Sequence, residues 1–89
     1  MKRWTQIFKA LGNVSRLRII KLLSDGTVRT VSEISREIHV TLKGTSRHLM
    51  ILHNLDLVDR EGKDGHVYYA LQEQMDKCAK GAVSLFLKS

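Results

Sequence analysis

Apolar residues return at helical intervals through five stretches of the chain, separated by short polar breaks. Trp4, Ile7, Phe8 and Leu11 share one face of a first helix over residues 2–11, which Gly12 ends. Asn13 is the N-cap of a second, with Leu17, Ile20 and Leu23 inward and a close at Asp25-Gly26. The third begins at Thr30, which forms a capping box with Glu33 three residues on, and lays Val31, Ile34 and Ile38 on one face. His39, Val40 and Thr41 make a turn-length break. Thr41 then caps a fourth helix over residues 42–54, whose apolar positions Thr45, Leu49 and Leu52 run on to Leu55. Its other face is Lys43, Ser46, Arg47 and Met50. Two helices joined by so tight a break, the second basic on its outer face, are the grammar of a helix-turn-helix.

The period changes after this pair. Residues 57–61 and 66–71, around the turn-rich Gly62-Lys63-Asp64-Gly65, predict a β-hairpin, and the β-branched and aromatic content of His66-Val67-Tyr68-Tyr69 supports it. A hairpin appended to a helix-turn-helix is a wing. From Gln72 to Lys88 a fifth helix is expected, with Met75, Cys78, Ala79, Ala82, Val83, Leu85 and Phe86 in a broad apolar stripe. The predicted fold class is α+β, mostly helical: a winged helix-turn-helix in the order of four helices, hairpin and helix.

At 89 residues the chain is read as one domain over residues 1–89, burying roughly 60 to 65% of the surface its unfolded form exposes. Its stability margin is thin, and self-association is a natural remedy. The outer apolar surface of helices 2–11 and 72–88, including Leu85 and Leu87, is therefore the expected dimerisation face. Trp4, Ile7, Phe8, Leu11, Met75, Cys78, Ala79, Ala82, Val83 and Phe86 are its candidate residues. Packing of the first helix on the fifth within one subunit is the alternative, and the two are compatible.

Charge points toward a polyanion. Fifteen Lys and Arg against nine Asp and Glu leave +6, and the pI of about 9.8 is that of a nucleic-acid-binding domain. One cysteine excludes an internal disulfide and fits a reducing compartment. No long apolar run predicts a membrane span, and the opening Met1-Lys2-Arg3-Trp4 is not a secretory signal, so a cytoplasmic location is expected.

Leu11-Gly12-Asn13-Val14-Ser15-Arg16-Leu17-Arg18-Ile19-Ile20 resembles the opening motif of the ArsR/SmtB-type winged-helix repressors. Ser46-Arg47-His48-Leu49, with Leu52, Leu57 and Val58, is similar to their recognition-helix core, and Tyr68-Tyr69 with Leu71 to the end of their wing. The resemblance covers about residues 7 to 71. It implies a homodimer, with the first and fifth helices at the interface, binding DNA of dyad symmetry.

Departures from the family pattern restrict that inference. Thr30 and Ser32 stand where metal-sensing members carry Cys-x-Cys, and residues 72–88 contain no histidine. His39, His48, His53 and His66 form no helical i, i+4 pair, so neither a metal site nor a cofactor is predicted. His48 is expected to pack or hydrogen-bond beneath the recognition helix. His39 replaces a usual turn glycine and implies a positive φ or an altered turn. Gly44 replaces a common threonine, which costs helicity and permits closer backbone approach to DNA. Cys78 is the one candidate redox switch, although a cysteine in an apolar stripe is ordinarily core.

The expectation is a sequence-specific, dimeric DNA-binding transcriptional regulator, a repressor that occupies promoter DNA. Its expected partners are double-stranded DNA and itself, with any effector unknown. The candidate DNA-contacting residues are Thr41, Lys43, Gly44, Ser46 and Arg47 on the recognition helix and Arg60, Lys63 and His66 on the wing. The competing reading, a winged-helix protein-interaction module, calls for a neutral or acidic recognition face. No nucleophile-base pair, phosphate-cradling loop or catalytic carboxylate pair is present, so no enzyme is predicted.

Overall fold

The computed structural model describes residues 2–88. Its elements run α1 (Lys2–Leu11), α2 (Val14–Leu23), β1 (Arg29–Thr30), α3 (Val31–Ile38), α4 (Leu42–Asn54), β2 (Val58–Lys63), β3 (His66–Leu71) and α5 (Lys77–Leu87). Local chemistry sets most boundaries. Asn13 Oδ1 accepts the Arg16 N–H at 3.1 Å to start α2. Thr30 Oγ1 accepts the Glu33 N–H at 3.2 Å while the Glu33 carboxylate accepts the Thr30 N–H at 2.9 Å, so the expected capping box is complete.

The strands form one antiparallel sheet in the order β1-β3-β2. The hairpin is tighter than its sequence suggests. Lys63 pairs with His66, so Gly62 and Lys63 belong to β2 and only Asp64 and Gly65 turn the chain. Both have positive φ, 52° and 78°, the left-handed pair that a two-residue hairpin turn matched to strand twist requires. β1 was not foreseen. Two residues show no periodicity, and Thr30 serves simultaneously as strand and helix cap, pairing with Tyr68 while Arg29 pairs with Tyr69. Asp25 prepares this strand by accepting the Thr27 N–H at 2.9 Å and hydroxyl at 2.6 Å. Those bonds, and secondarily Arg29, hold its carboxyl below the usual range.

The fifth helix starts later than predicted. Gln72 continues from the sheet, its N–H donating to Leu57 O at 3.1 Å, and Asp76 Oδ1 accepts the Ala79 N–H at 2.8 Å as the true N-cap. Residues 72–76 are therefore a connection with a turn at Glu73-Gln74, because an aspartate three residues ahead of Ala79 satisfies an orphan amide better than another helical turn would.

The core is continuous through all five helices and the base of the wing. Ile7, Leu11, Ile19, Ile20, Leu23 and Ile34 are fully buried, as are Leu49, Leu52, Leu57, Ala79 and Ala82. Leu17 is only half-buried, and Ile19 takes the inward place expected for it. Thr45 is the one buried polar residue among those described; its hydroxyl donates to Val40 O at 3.4 Å. No helix among the described residues is long and apolar enough to cross a membrane.

Candidate nucleic-acid interface

The α3–α4 turn is held from both sides. His39 adopts the left-handed conformation at φ 57°, as its place in the turn implies, and ends α3. The Ser35 hydroxyl donates to Val40 O, and Val40 N–H donates back to Ser35 O at 3.3 Å. Thr41 Oγ1 then accepts the Gly44 N–H at 3.1 Å to begin α4. Buried Thr45, Leu49 and Leu52 anchor one face of that helix to the core, which leaves Lys43, Ser46 and Arg47 exposed on the other. Met50 and Leu42 flank them, 46% and 55% exposed.

Gly44 is explained inside the molecule. A Cβ placed there would stand 2.9 Å from Val40 Cγ1 and 3.1 Å from Thr41 Oγ1, closer than side chains pack. The position is small because the turn folds back against the helix start, whatever DNA asks of it. The expected role in DNA approach is thus not needed to account for the glycine.

Beneath α4, His48 makes the contact expected of it, with a partner, Arg16, that the sequence did not announce. Arg16 Nε donates to Ala10 O at 2.7 Å, near the end of α1, and Arg16 Nη1 lies 3.4 Å from His48 Nδ1. Partial burial, and then the neighbouring guanidinium, lower the His48 pKa from its ordinary value, so the ring is neutral at neutral pH. One side chain of α2 thereby joins α1 to the underside of the recognition helix. The juxtaposition of an arginine early in α2 with a histidine 32 positions on is a matter of packing, which no periodicity encodes.

The wing places Arg60, Lys63 and His66 in solvent, with Lys63 and His66 paired at its tip. The same hairpin carries Asp59, Glu61 and Asp64, also exposed, so acids outnumber its Lys and Arg. By contrast α1, α2 and α4 contain no acidic residue. Positive charge unopposed by acids therefore lies on these helices, with Lys43 and Arg47 its share on the exposed face of the recognition helix.

The apolar candidates for self-association divide. Ile7, Leu11, Ala79, Ala82 and Val83 are at most 6% exposed and belong to the subunit's own core, which corrects their assignment to a free face. α1 packs directly on α5: Arg3 Nε meets Asp76 Oδ2 at 2.7 Å, and Phe8 and Phe86 ring centroids are 5.8 Å apart. Trp4 stacks on Phe8 at 5.3 Å, leaving the two rings 38% and 36% exposed, with Leu85 60% exposed on α5. Cys78 is a half-buried free thiol packed against the core, and Met75 turns to a cleft between α2 and α5. Among the described residues, no group of three or more His, Cys, Asp or Glu side chains is placed to hold a metal ion.

The sequence profile described as "Bacterial regulatory protein, arsR family" matches residues 13–60. Among solved structures, reduced HlyU from Vibrio cholerae N16961 superposes with a TM-score of 0.80 at 25% identity, over 98% of this chain and 87% of that one. The homodimeric winged helix-turn-helix DNA-binding domain of Mb0332 from Mycobacterium bovis, described as a possible ArsR-family transcriptional regulator, gives 0.77 at 25% identity over 98% and 74%. NolR from Sinorhizobium fredii shares the fold, with 0.79 at 21% identity over 94% and 81%. No curated protein sequence matches the chain.

Proposed function

Given that this chain belongs to the bacterial arsR family of regulatory proteins, we propose that it is a dimeric repressor that occupies promoter DNA. In this reading α4 enters the major groove. The observation that carries it is the outer face of α4, where Lys43, Ser46 and Arg47 stand exposed on a helix with no acidic residue and a rigidly capped start. Arg47 supplies a planar fork suited to guanine O6 and N7, Lys43 a point charge for phosphate, and Ser46 an adaptable hydroxyl. The amino-terminal dipole of α4 adds to the attraction for a phosphate beside Thr41. Arg60, Lys63 and His66 act in this scheme as backbone contacts that fix register, weakened by the acids beside them.

Dimerisation uses the ridge that α1 and α5 leave outside the core. Trp4, Phe8 and Leu85 offer exposed apolar area there, contiguous with half-buried Phe86. That the Mb0332 domain is homodimeric supports self-association of this chain by analogy. Two subunits place two recognition helices on one duplex, so the preferred site is an inverted repeat with half-sites about one helical turn apart or a multiple of it.

The test is selection of bound duplexes from a random pool, followed by affinity measurement across salt. A dimer neutralising about 6 to 10 phosphates loses ~10³ to 10⁵ in affinity between 50 and 200 mM salt. An inverted-repeat consensus with that steep dependence is the expected result. A flat salt response with no selected sequence would leave the protein-interaction reading in its place.

A further inference from the structure

Between the end of α2, the base of the wing and α5 lies a cleft of about 610 Å³. Small-molecule sites typically span roughly 300–1,000 Å³. The floor is apolar, made by Leu23, Leu71, Met75, Val83 and Leu87. Leu23 and Val83 are core residues, 0% and 6% exposed, so the cleft reaches the packed interior. Its lip has a different character. Lys80, Ser84 and Lys88 follow one another at four-residue spacing along α5 and its cap, and therefore line one side of the opening. Neither lysine forms an ion pair among the described residues. The other side contributes one carboxylate, Glu73.

We propose that this cleft binds a small amphipathic carboxylate. The apolar body rests on the Leu23 and Val83 floor, and the head lies between the Lys80 and Lys88 ammonium groups, with the Ser84 hydroxyl as a further donor. Charge complementarity selects this occupant over its rivals. An inorganic anion alone gains little from two solvated lysines, because exposed pairs are screened. A neutral apolar molecule leaves both cations without a partner. A second copy of the chain, seated on the floor, covers the lysines and strips their water, a cost that only one of its carboxylates placed opposite them would offset. A monocarboxylate with an apolar tail buries the floor and keeps the lysines half in water. The proposal stands apart from the DNA reading, since it concerns the free protein.

The experiment is a titration of the full chain, followed by amide NMR, with decanoate, decanol and acetate as probes below their aggregation limits. Decanoate is expected to shift the signals of Leu71, Met75 and Ser84 saturably, and acetate to leave them in place. The double variant Lys80→Gln/Lys88→Gln should weaken decanoate binding about tenfold while leaving decanol affinity unchanged. Ser84→Phe, at an exposed position on the lip, should block both long-chain probes without disturbing the core. The proposal is overturned if decanoate fails to saturate these signals, or if its affinity is indifferent to the lysine changes. It is equally overturned if the Leu71 and Met75 signals, away from the Leu85 ridge, move with protein concentration alone, which would assign the cleft to a second copy.

Discussion

Replacing Gly44 by alanine sets two effects of opposite sign against each other. Alanine is the better helix former, and the exchange gains about 0.5 to 1 kcal/mol in an unencumbered helix interior. Here the new methyl lands 2.9 Å from Val40 Cγ1 and 3.1 Å from Thr41 Oγ1. Valine is stiff at χ1 and this one is half-buried, so it has little room to rotate away. Thr41 Oγ1 is the acceptor that caps α4, so displacing it forfeits part of a cap worth about 0.5 to 2 kcal/mol. Overpacking adds roughly 1 to 3 kcal/mol. The clash and cap losses together exceed the propensity gain, and Gly44→Ala is expected to destabilise by about 1 to 2 kcal/mol. For a domain of this size each kcal/mol lowers Tm by about 4 to 8 °C, within easy reach of thermal melts followed by circular dichroism. Shaving the neighbour in Val40→Ala/Gly44→Ala should recover a good part of the loss relative to Val40→Ala, a coupling that a double-mutant cycle reads directly. A Tm that rises in the single variant would refute the steric account and return the glycine to a DNA-facing role.

Arg47→Ala should cost about 1 to 3 kcal/mol in DNA affinity and relax preference at one base pair, measured by binding to a panel of single-base operator variants; an equal loss on every sequence would reassign it to phosphate. Thr30→Ala removes half of the capping box and should cost about 0.5 to 2 kcal/mol in urea unfolding, with the m-value unchanged. Leu85→Lys, at a position 60% exposed in the subunit, should shift sedimentation toward monomer while the far-ultraviolet spectrum stays native; an unchanged dimer would move the interface off this ridge. His48 supplies a pH signature: its folded pKa lies below its unfolded one, so the unfolded chain binds the proton more readily. Its contribution is complete above about pH 6.5 and is lost as pH falls through the lower folded value. His48→Gln should flatten the Tm profile below about pH 6.5, and an unaltered slope there would remove the histidine from the account.

How far the sequence foretold the molecule depends on how local each cause is. The capping box at Thr30 and Glu33, the turn through His39 and the cap at Thr41 are all made by residues within five positions of one another, and all were legible. The start of α5 had an equally local signal in Asp76, but the apolar stripe from Met75 onward drew the helix five residues too early. Periodicity reports a face without saying what covers it. It therefore could not separate Ile7, Leu11 and Ala82, spent inside the subunit, from Trp4 and Leu85, which remain outside. β1, and the choice of Arg16 as the partner of His48, arise from segments brought together only by the completed fold; the sequence placed His48 beneath α4 but did not name what it meets.

The arginine of α2 has a consequence for how a dimer would measure its DNA. With one nitrogen on the last turn of α1 and another beside the buried edge of α4, it braces the helix proposed for subunit contact against the helix proposed for base contact. Slack between those two would let each half of a dimer accept several spacings. Braced in this way, the two heads behave as the fixed points of a caliper, and an operator with one base pair inserted between its halves is mismeasured even though every base that is touched remains correct.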